Sequence, residues 1–531
     1  MMNLKYIGLI VVIAVSVTDS YGQIPVSVPE FDLFGSLTRN RAPDTFSLPQ
    51  NIENYSSLRL KAMGIALRGI VSDELTDMFR NPAFVSEREN KSYYLDYEGR
   101  SASNNLRASL FSSLLSGKMG LSIGGDEDVR KSLFNDTNQT IRIQRISTVT
   151  SLRESNSSSK YYDIHIWWAK KLSHDRRIGF NYILGNSESN SDGTSESLFL
   201  SNWTDVFNQI IDSESLKSVR NSSTERKTGT NTFRSGMIFG SPNSRTFDIV
   251  AKLEFTEITS ERSSVEIRDR YYSSIRPDYL HQSQYLDSVN SIINGDVDAI
   301  IYGIEMNMKN PINDDVTEIY FLSIDRVGFD VSDNIIQSSS NVNNTIRDSL
   351  FTDRQNIFSS EINASRKDAS GYNLRLGWGR EVKNDKATIG FGINAGSTTG
   401  SWENVLSGTS SGISDYSDND TTYQLSFSLD SNVVISSEFS SMSIRFPVGG
   451  EFYVTKSFSI RFGIEFNAIY TKSESTVPSG TTLRKTERSS LGSRKSFGLG
   501  YRHSDKFRAD LLAGDDLSRL SSWRVAIQYG L

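Results

Sequence analysis

Four histidines and no cysteine make up this sequence's whole stock of imidazole and thiol groups, the side chains that most readily serve as zinc ligands or as bases near neutral pH. His165 falls on a strand face turned toward a lumen, His174 and His503 in short turns, and His281 in a long polar connection, so no two share metal-ligand spacing. No metal and no cofactor is expected. The stretch "GTSSG" (408 to 412) fits the Gly-x-Ser-x-Gly pattern of a serine nucleophile. That chemistry needs a sharp strand-to-helix turn that exposes the hydroxyl, and here the surroundings are Ser- and Gly-rich. The Gly-x-Gly pairs at 377 to 379, 390 to 392 and 498 to 500 sit inside alternating strands, where small residues are expected and not phosphate loops. "SDYSDND" (414 to 420) lacks the turn glycine and terminal Glu of a calcium loop. One place remains for hydrolytic chemistry, His165 with a neighbouring serine and acid on the wall. No catalytic residue is assigned, and the chain is not read as an enzyme.

The elements that would position any such group begin with export. "MMNLKYIGLIVVIAVSVTDSYGQ" has one basic residue, Lys5, an apolar run from Tyr6 to Val17 and then Ser20-Tyr21-Gly22. This is the form of a secretory signal cut after Gly22, and the run is shorter than the roughly 20 residues a spanning helix needs. Without cysteine, an exported chain has neither disulfides nor a lipid-modified N-terminal Cys. Lys plus Arg number 57 against 63 Asp plus Glu, a net charge of −6 spread along the chain, which argues against a nucleic-acid partner. With 37 glycines, 28 phenylalanines, 22 tyrosines and only 10 prolines, the composition favours strands and polar connections over packed helices.

Period-two alternation then recurs along the chain. In "GYNLRLGWGREVKNDKATIGFGINAGS" Tyr372, Leu374, Leu376 and Trp378 alternate with polar or small residues. A turn at Lys383 to Asp385 leads to Ala387, Ile389, Phe391, Ile393 and Ala395 in the same alternation. Two such runs joined by a short polar turn are a hairpin with unlike faces. The unit repeats at 160 to 186, 231 to 256, 298 to 326, 439 to 470 and 495 to 513. Strands are expected near 91, 104, 118, 160, 177, 231, 246, 298, 316, 371, 386, 439, 458, 495, 506 and 523. Between hairpins lie long polar stretches, about 187 to 230, 257 to 297, 327 to 370, 398 to 438 and 471 to 494, expected to be outer loops. "TYQLSFSL" (422 to 429) is placed within one of them. Tight turns on one side and long connections on the other are the layout of outer-membrane barrels. The final residues, "SSWRVAIQYGL", are expected to be the closing strand, with Trp523, Val525, Ile527, Tyr529 and Leu531 facing lipid. They resemble a C-terminal assembly signal, although that signal usually ends in Phe or Trp.

Residues 23 to 90 differ from the rest. They open with a proline-rich irregular stretch and continue into "KAMGIALRGIVSDELTDMFRNPAF", with a short helix expected after Ser72 and before Pro82. A small-residue stretch, an acidic short helix and then Asn81-Pro82-Ala83 ahead of the first strand resemble the start of the long-chain fatty-acid outer-membrane transporter family, secretion-associated relatives included. The resemblance implies a plug folded into the barrel, hydrophobic ligands bound above it and a sideways exit through a gap in the wall. Glycines on the inward face, such as Gly377, Gly390 and Gly392, would let such a segment approach closely.

The expectation is an all-β protein, an antiparallel transmembrane β-barrel of about 14 to 16 strands with an N-terminal plug. A signal occupies 1–22, the plug with its short helix 23–90 and the barrel with long outer loops 91–531. It would lie in the cell outer membrane, with lipids, the barrel assembly machinery and a small hydrophobic ligand as partners. Passive passage of that ligand is the first function expected. A binding platform, secretion shuttle or structural surface protein is the alternative.

Overall fold

The structure is a computed structural model that describes residues 57–87, 92–99, 103–114, 117–142, 145–204, 210–241, 244–276, 279–347, 351–417, 422–476, 482–504, 507–513 and 524–530. The expected signal, the proline-rich stretch, Trp523 and Leu531 lie outside these residues.

Sixteen strands close into one antiparallel barrel in which each strand pairs with its sequence neighbours and the last pairs with the first. They are β1 (Ser92–Gly99), β2 (Ser103–Leu114), β3 (Gly117–Arg142), β4 (Arg145–Ser173), β5 (Arg176–Thr204), β6 (Ile210–Phe239), β7 (Thr246–Arg276) and β8 (Tyr279–Asn313). The circuit continues with β9 (Val316–Arg347), β10 (Phe351–Lys383), β11 (Ala387–Ser417), β12 (Thr422–Tyr453), β13 (Phe458–Thr476), β14 (Thr482–Ser504), β15 (Phe507–Ala513) and β16 (Arg524–Gly530). Every expected strand position falls in or within a residue or two of one of these. Closure satisfies the backbone groups of a sheet edge, the condition for placing a sheet in hydrocarbon.

The two faces settle which side meets lipid. Ile304, Ile324, Leu376, Ile444 and Phe466 are exposed on the outer face, whereas Asp163, Arg234, Asp248, Glu254, Glu451 and Arg461 are buried on the inner one. A water-soluble barrel would show the reverse. Phe462 stacks on Phe452 on the outer face, ring centroids 5.4 Å apart. Its neighbours Arg461 and Gly463, like Thr388 and Gly390 beside Ile389, are buried toward the inside. Among the described residues no helix is long and apolar enough to cross a membrane.

Strand length corrects the sequence reading. The stretches expected as outer loops are continuations of the strands: β5 pairs with β6 from Arg176↔Phe239 to Thr204↔Ile210, and β8 with β9 from Asn313↔Val316 to His281↔Arg347. "TYQLSFSL" begins β12 and pairs with β11, so it leaves the strand count intact. His281 is a ladder residue of β8, and His503 lies inside β14 instead of in a turn. Only about 9 to 11 residues of a tilted strand cross hydrocarbon, so most of the 35 residues of β8 stand beyond the bilayer. Both faces meet water there, and the apolar-polar alternation that identifies a half-buried strand disappears.

One skip interrupts a membrane-level ladder. Pairing of β11 with β12 runs through Phe391↔Val448 and resumes at Asn394↔Arg445, leaving Gly392 and Ile393 opposite Pro447 and Phe446. Proline has no N–H to donate.

Candidate functional site

Among the described residues two short α-helices precede the barrel. Helix α1 (Leu58–Met63) starts at Ser57, whose hydroxyl accepts from the Leu60 N–H at 3.2 Å. Helix α2 (Glu74–Arg80) starts at Asp73, whose Oδ1 accepts from the Thr76 N–H at 2.9 Å. Both are N-caps that satisfy an otherwise orphaned donor. Between them Gly64 and Gly69 turn the chain with positive φ. The expected helix is α2, and it stops at Asn81 because a residue before proline leaves the helical region.

These residues pack on the inner face of the wall. Leu60, Met63, Leu67, Ile70 and Val71 form one buried apolar cluster. They rest on strand positions that lack side chains: a Cβ at Gly449 or Gly463 would overlap the Met63 carbonyl, and one at Gly379 or Gly392 would overlap Ile70. Gly390 abuts Val71 and Leu67, as expected, whereas Gly377 makes room for Phe321 of the neighbouring strand. Ile70 therefore lies beside the skip between β11 and β12. A second cluster joins Leu58, Ala62, Leu75, Met78, Phe79 and Val85 to Phe111, Trp167, Ala169 and Ala526 of the wall.

Charge pairs fix the same segment. Arg80 grips Asp248 through two bonds of 2.9 and 3.0 Å and reaches Glu305 at 3.3 Å. Arg59 donates to Glu451 at 2.8 Å and faces Asp73 at 3.4 Å. Arg461 bonds the same Glu451 at 2.8 Å and Asp510 at 2.6 Å. Arg234 donates to the Phe79 carbonyl at 2.8 Å. Burial opposes the charge on Asp73, which belongs to the pre-barrel segment, yet Arg59 beside it holds the carboxyl below the usual carboxylate range.

Asn81, Pro82 and Ala83 are buried at this interface. The Asn81 Oδ1 accepts from the Ala83 N–H at 3.0 Å, and its amide reaches Asp248 at 3.5 Å. Gly236 leaves room for Asn81 and Gly179 for Pro82 and Ala83. The tripeptide is thus seated on β5 and β6 as well as ending a helix. In β16, Val525, Ile527 and Tyr529 are exposed on the outer face and pair with Tyr97, Leu95 and Tyr93 of β1.

The hydrolytic possibility does not assemble. Asp163 Oδ1 is 3.4 Å from the His165 Nε2, and Ser122 is the cross-strand partner of His165. The Ser122 hydroxyl instead receives bonds from Ser109 at 2.9 Å and Arg107 at 3.4 Å. His165 is buried under Phe79, ring centroids 5.1 Å apart. "GTSSG" runs within β11, paired on both sides, and forms no nucleophile turn. Among the described residues no cluster of His, Asp and Glu fits a metal.

A feature the sequence reading missed lies farther along the inner face. Ile258, Val297, Ala299, Ile301, Val327 and Ala369 are buried there on four adjacent strands, β7 to β10. Ile258 is opposite Val297, and Ile301 opposite Val327. This apolar patch adjoins buried Thr230, Thr232, Glu254 and Thr256. Its signal was the run "DVDAIIYGI" (296 to 304), apolar on both faces where a lumen-facing strand should alternate.

A scan against protein-family models gave no match, and neither did a search of curated proteins. Among solved structures, the toluene transporter TbuX of Ralstonia pickettii is 12% identical with a TM-score of 0.30, covering 91% of this chain and 99% of its own. A deltaS2 mutant of the monoaromatic hydrocarbon channel TodX is 11% identical with a TM-score of 0.33, covering 90% and 97%. The FrpB iron transporter of Neisseria meningitidis is 7% identical with a TM-score of 0.24, covering 85% and 82%.

Proposed function

We propose that this chain is an outer-membrane barrel through which a small hydrophobic molecule passes without energy input, with residues 57–87 acting as a plug. The apolar patch of Ile258, Val297, Ala299, Ile301, Val327 and Ala369 carries this reading. Polar and charged groups line most of the inner face, and an aqueous pore has no use for clustered aliphatic side chains. Beside the plug, the ladder skip at Pro447 supplies a weak point in the wall, which fits the sideways exit that the resemblance implies. The family resemblance, the cleaved signal, the C-terminal assembly signal and the plug motif Asn81-Pro82-Ala83 all belong to this reading.

The test is uptake of a radiolabelled monoaromatic hydrocarbon into vesicles carrying wild-type protein or Ile301→Asp. A carboxylate in the patch should lower uptake about tenfold or more, because moving an apolar ligand away from such a patch forfeits roughly 1–3 kcal/mol. Small-ion conductance should stay unchanged. Equal uptake by both proteins would contradict the reading.

The tall strand extensions favour a second reading, a binding platform, secretion shuttle or structural surface protein without transport. Under it, shortening the β7–β8 hairpin abolishes partner binding and leaves uptake at background in both proteins.

A further inference from the structure

A groove of about 340 Å³ lies on the outer face of the wall, across β10 to β13. Short hydroxyl side chains make its floor: Thr399 and Ser401 of β11 and Ser440 of β12. Taller residues flank it, Tyr372 of β10 on one side and Lys472 and Glu474 of β13 on the other. Register puts these groups side by side. Tyr372, Thr399, Ser440 and Lys472 are successive cross-strand partners, and so are Ser401, Glu438 and Glu474. Cross-strand partners share a face, here the one that carries exposed Leu374, Met442 and Tyr470. All four strands are paired on both sides at this level, so the groove owes nothing to an open sheet edge.

Its depth follows from the strands. Tyr372, Thr399, Ser440 and Lys472 stand about 11 to 14 residues from the short-turn strand ends at Lys383, Ala387, Tyr453 and Phe458. Roughly 9 to 11 residues cross the hydrocarbon, so the groove opens at the headgroup level. Outward side chains agree: they are apolar through Leu374, Ala395, Met442 and Tyr470, and the hydroxyl and charged groups of the groove come next along each strand.

The lining selects a chemistry. The Arg326 guanidinium lies 5.5 Å from the Tyr372 ring centroid and 5.9 Å from that of Tyr302, and it holds the Tyr372 ring as a platform that is still 52% exposed. Glu474 faces Lys472 at 3.5 Å, whereas Glu438 has no ion pair among the described residues. The two carboxylates are directly opposite each other across the ladder, an arrangement that costs stability. A ligand whose hydroxyls donate to both offsets that repulsion, and such charge-assisted bonds are the stronger kind. Two carboxylates against one lysine disfavour a phosphate, and a hydroxyl-lined floor disfavours an acyl chain. A sugar ring satisfies every group: its hydroxyls bond the carboxylates, the ammonium and the Ser and Thr hydroxyls, and its C–H face packs on the negative face of the tyrosine.

We propose that this groove binds a sugar ring in the saccharide headgroup of a membrane-held glycolipid. The headgroup level of the site commits it to a lipid-borne sugar instead of a soluble one. The inference rests on the outer-membrane barrel and is independent of what passes through the lumen.

The full-length protein is reconstituted in phosphocholine nanodiscs holding digalactosyl diacylglycerol, diacylglycerol with the same acyl chains, or phosphatidylethanolamine. The lipid that stays bound on transfer to mild detergent is measured by native mass spectrometry. Wild-type protein should retain the galactosyl lipid about tenfold over diacylglycerol, the factor for one hydrogen bond to a charged group. Glu438→Ala/Glu474→Ala should lose that preference. Ser401→Trp, which fills the groove and keeps the carboxylates, should lose it too. Glu127→Gln/Lys160→Gln, which removes an exposed ion pair of 3.7 Å on the opposite wall, should keep it. Equal retention of galactosyl lipid and diacylglycerol by wild type, or an undiminished preference in either groove variant, overturns the proposal. So does stronger retention of phosphatidylethanolamine, which would mark an ammonium site, or loss of the preference to an equimolar amount of free galactose disaccharide, which would mark a soluble-sugar site. A chain that never inserts and shows no heat-dependent gel shift overturns the outer-membrane reading as well, whereas an inserted barrel indifferent to the sugar overturns this inference alone.

Discussion

At the scale of single residues, the contacts of greatest consequence join the pre-barrel segment to the wall. Arg80 is buried with Asp248, and a buried pair costs most when only one partner is removed, because the other charge is stranded. Arg80→Ala is expected to weaken docking of the segment by about 3–5 kcal/mol, read as faster protease cleavage between α1 and α2 in an otherwise folded barrel. The double change Arg80→Met/Asp248→Leu should recover most of that protection. Unchanged cleavage in Arg80→Ala would show that the apolar clusters hold the segment without the pair. Little of this was visible in the sequence. Pairs such as Arg59 with Glu451, 392 positions apart, carry no local signature. Asn81-Pro82-Ala83 was legible as a helix stop, but its seat on Gly179 and Gly236 depends on two strands that lie about a hundred residues or more farther along.

At the scale of elements, legibility depended on whether a strand has two different environments. At membrane depth one face meets lipid and the other the lumen, so Tyr372 to Trp378 and Ala387 to Ala395 alternate and their strands were found. Outside the bilayer the distinction is lost, so the upper parts of β5 to β14 read as loops in the sequence. Hydrogen-bond pairing continues there because the ladder needs only backbone. The inward glycines show a related limit: Gly390 and Gly392 were expected to admit the segment, while Gly449 and Gly463, which meet the Met63 carbonyl, were not singled out. Gly463→Val should push α1 off the wall at a cost of about 1–3 kcal/mol. The expected readout is raised single-channel conductance with an unaltered heat-dependent gel shift. Conductance equal to wild type would mean that α1 does not obstruct the lumen.

At the scale of the whole molecule, a chain of 531 residues without cysteine is held by sixteen mutually paired strands instead of a dry centre. The interior is polar and the exterior apolar, and the fold is stable only where something apolar surrounds it. Deleting residues 23 to 80 should raise ion leak while the barrel still folds, the direct consequence of a plug. Closure by β16 against β1 was foreseen from the alternation of Val525, Ile527 and Tyr529.

The absence of cysteine also provides the decisive measurement. A single spin label placed through Ile304→Cys, Ile324→Cys or Ile444→Cys reports its surroundings by collision with oxygen, which concentrates in lipid, or with a water-soluble nickel chelate. In reconstituted vesicles all three sites should favour oxygen strongly, while Thr256→Cys on the inner face should not. Three outer-face labels that collide with the nickel chelate as readily as a label in water would contradict the membrane-spanning barrel.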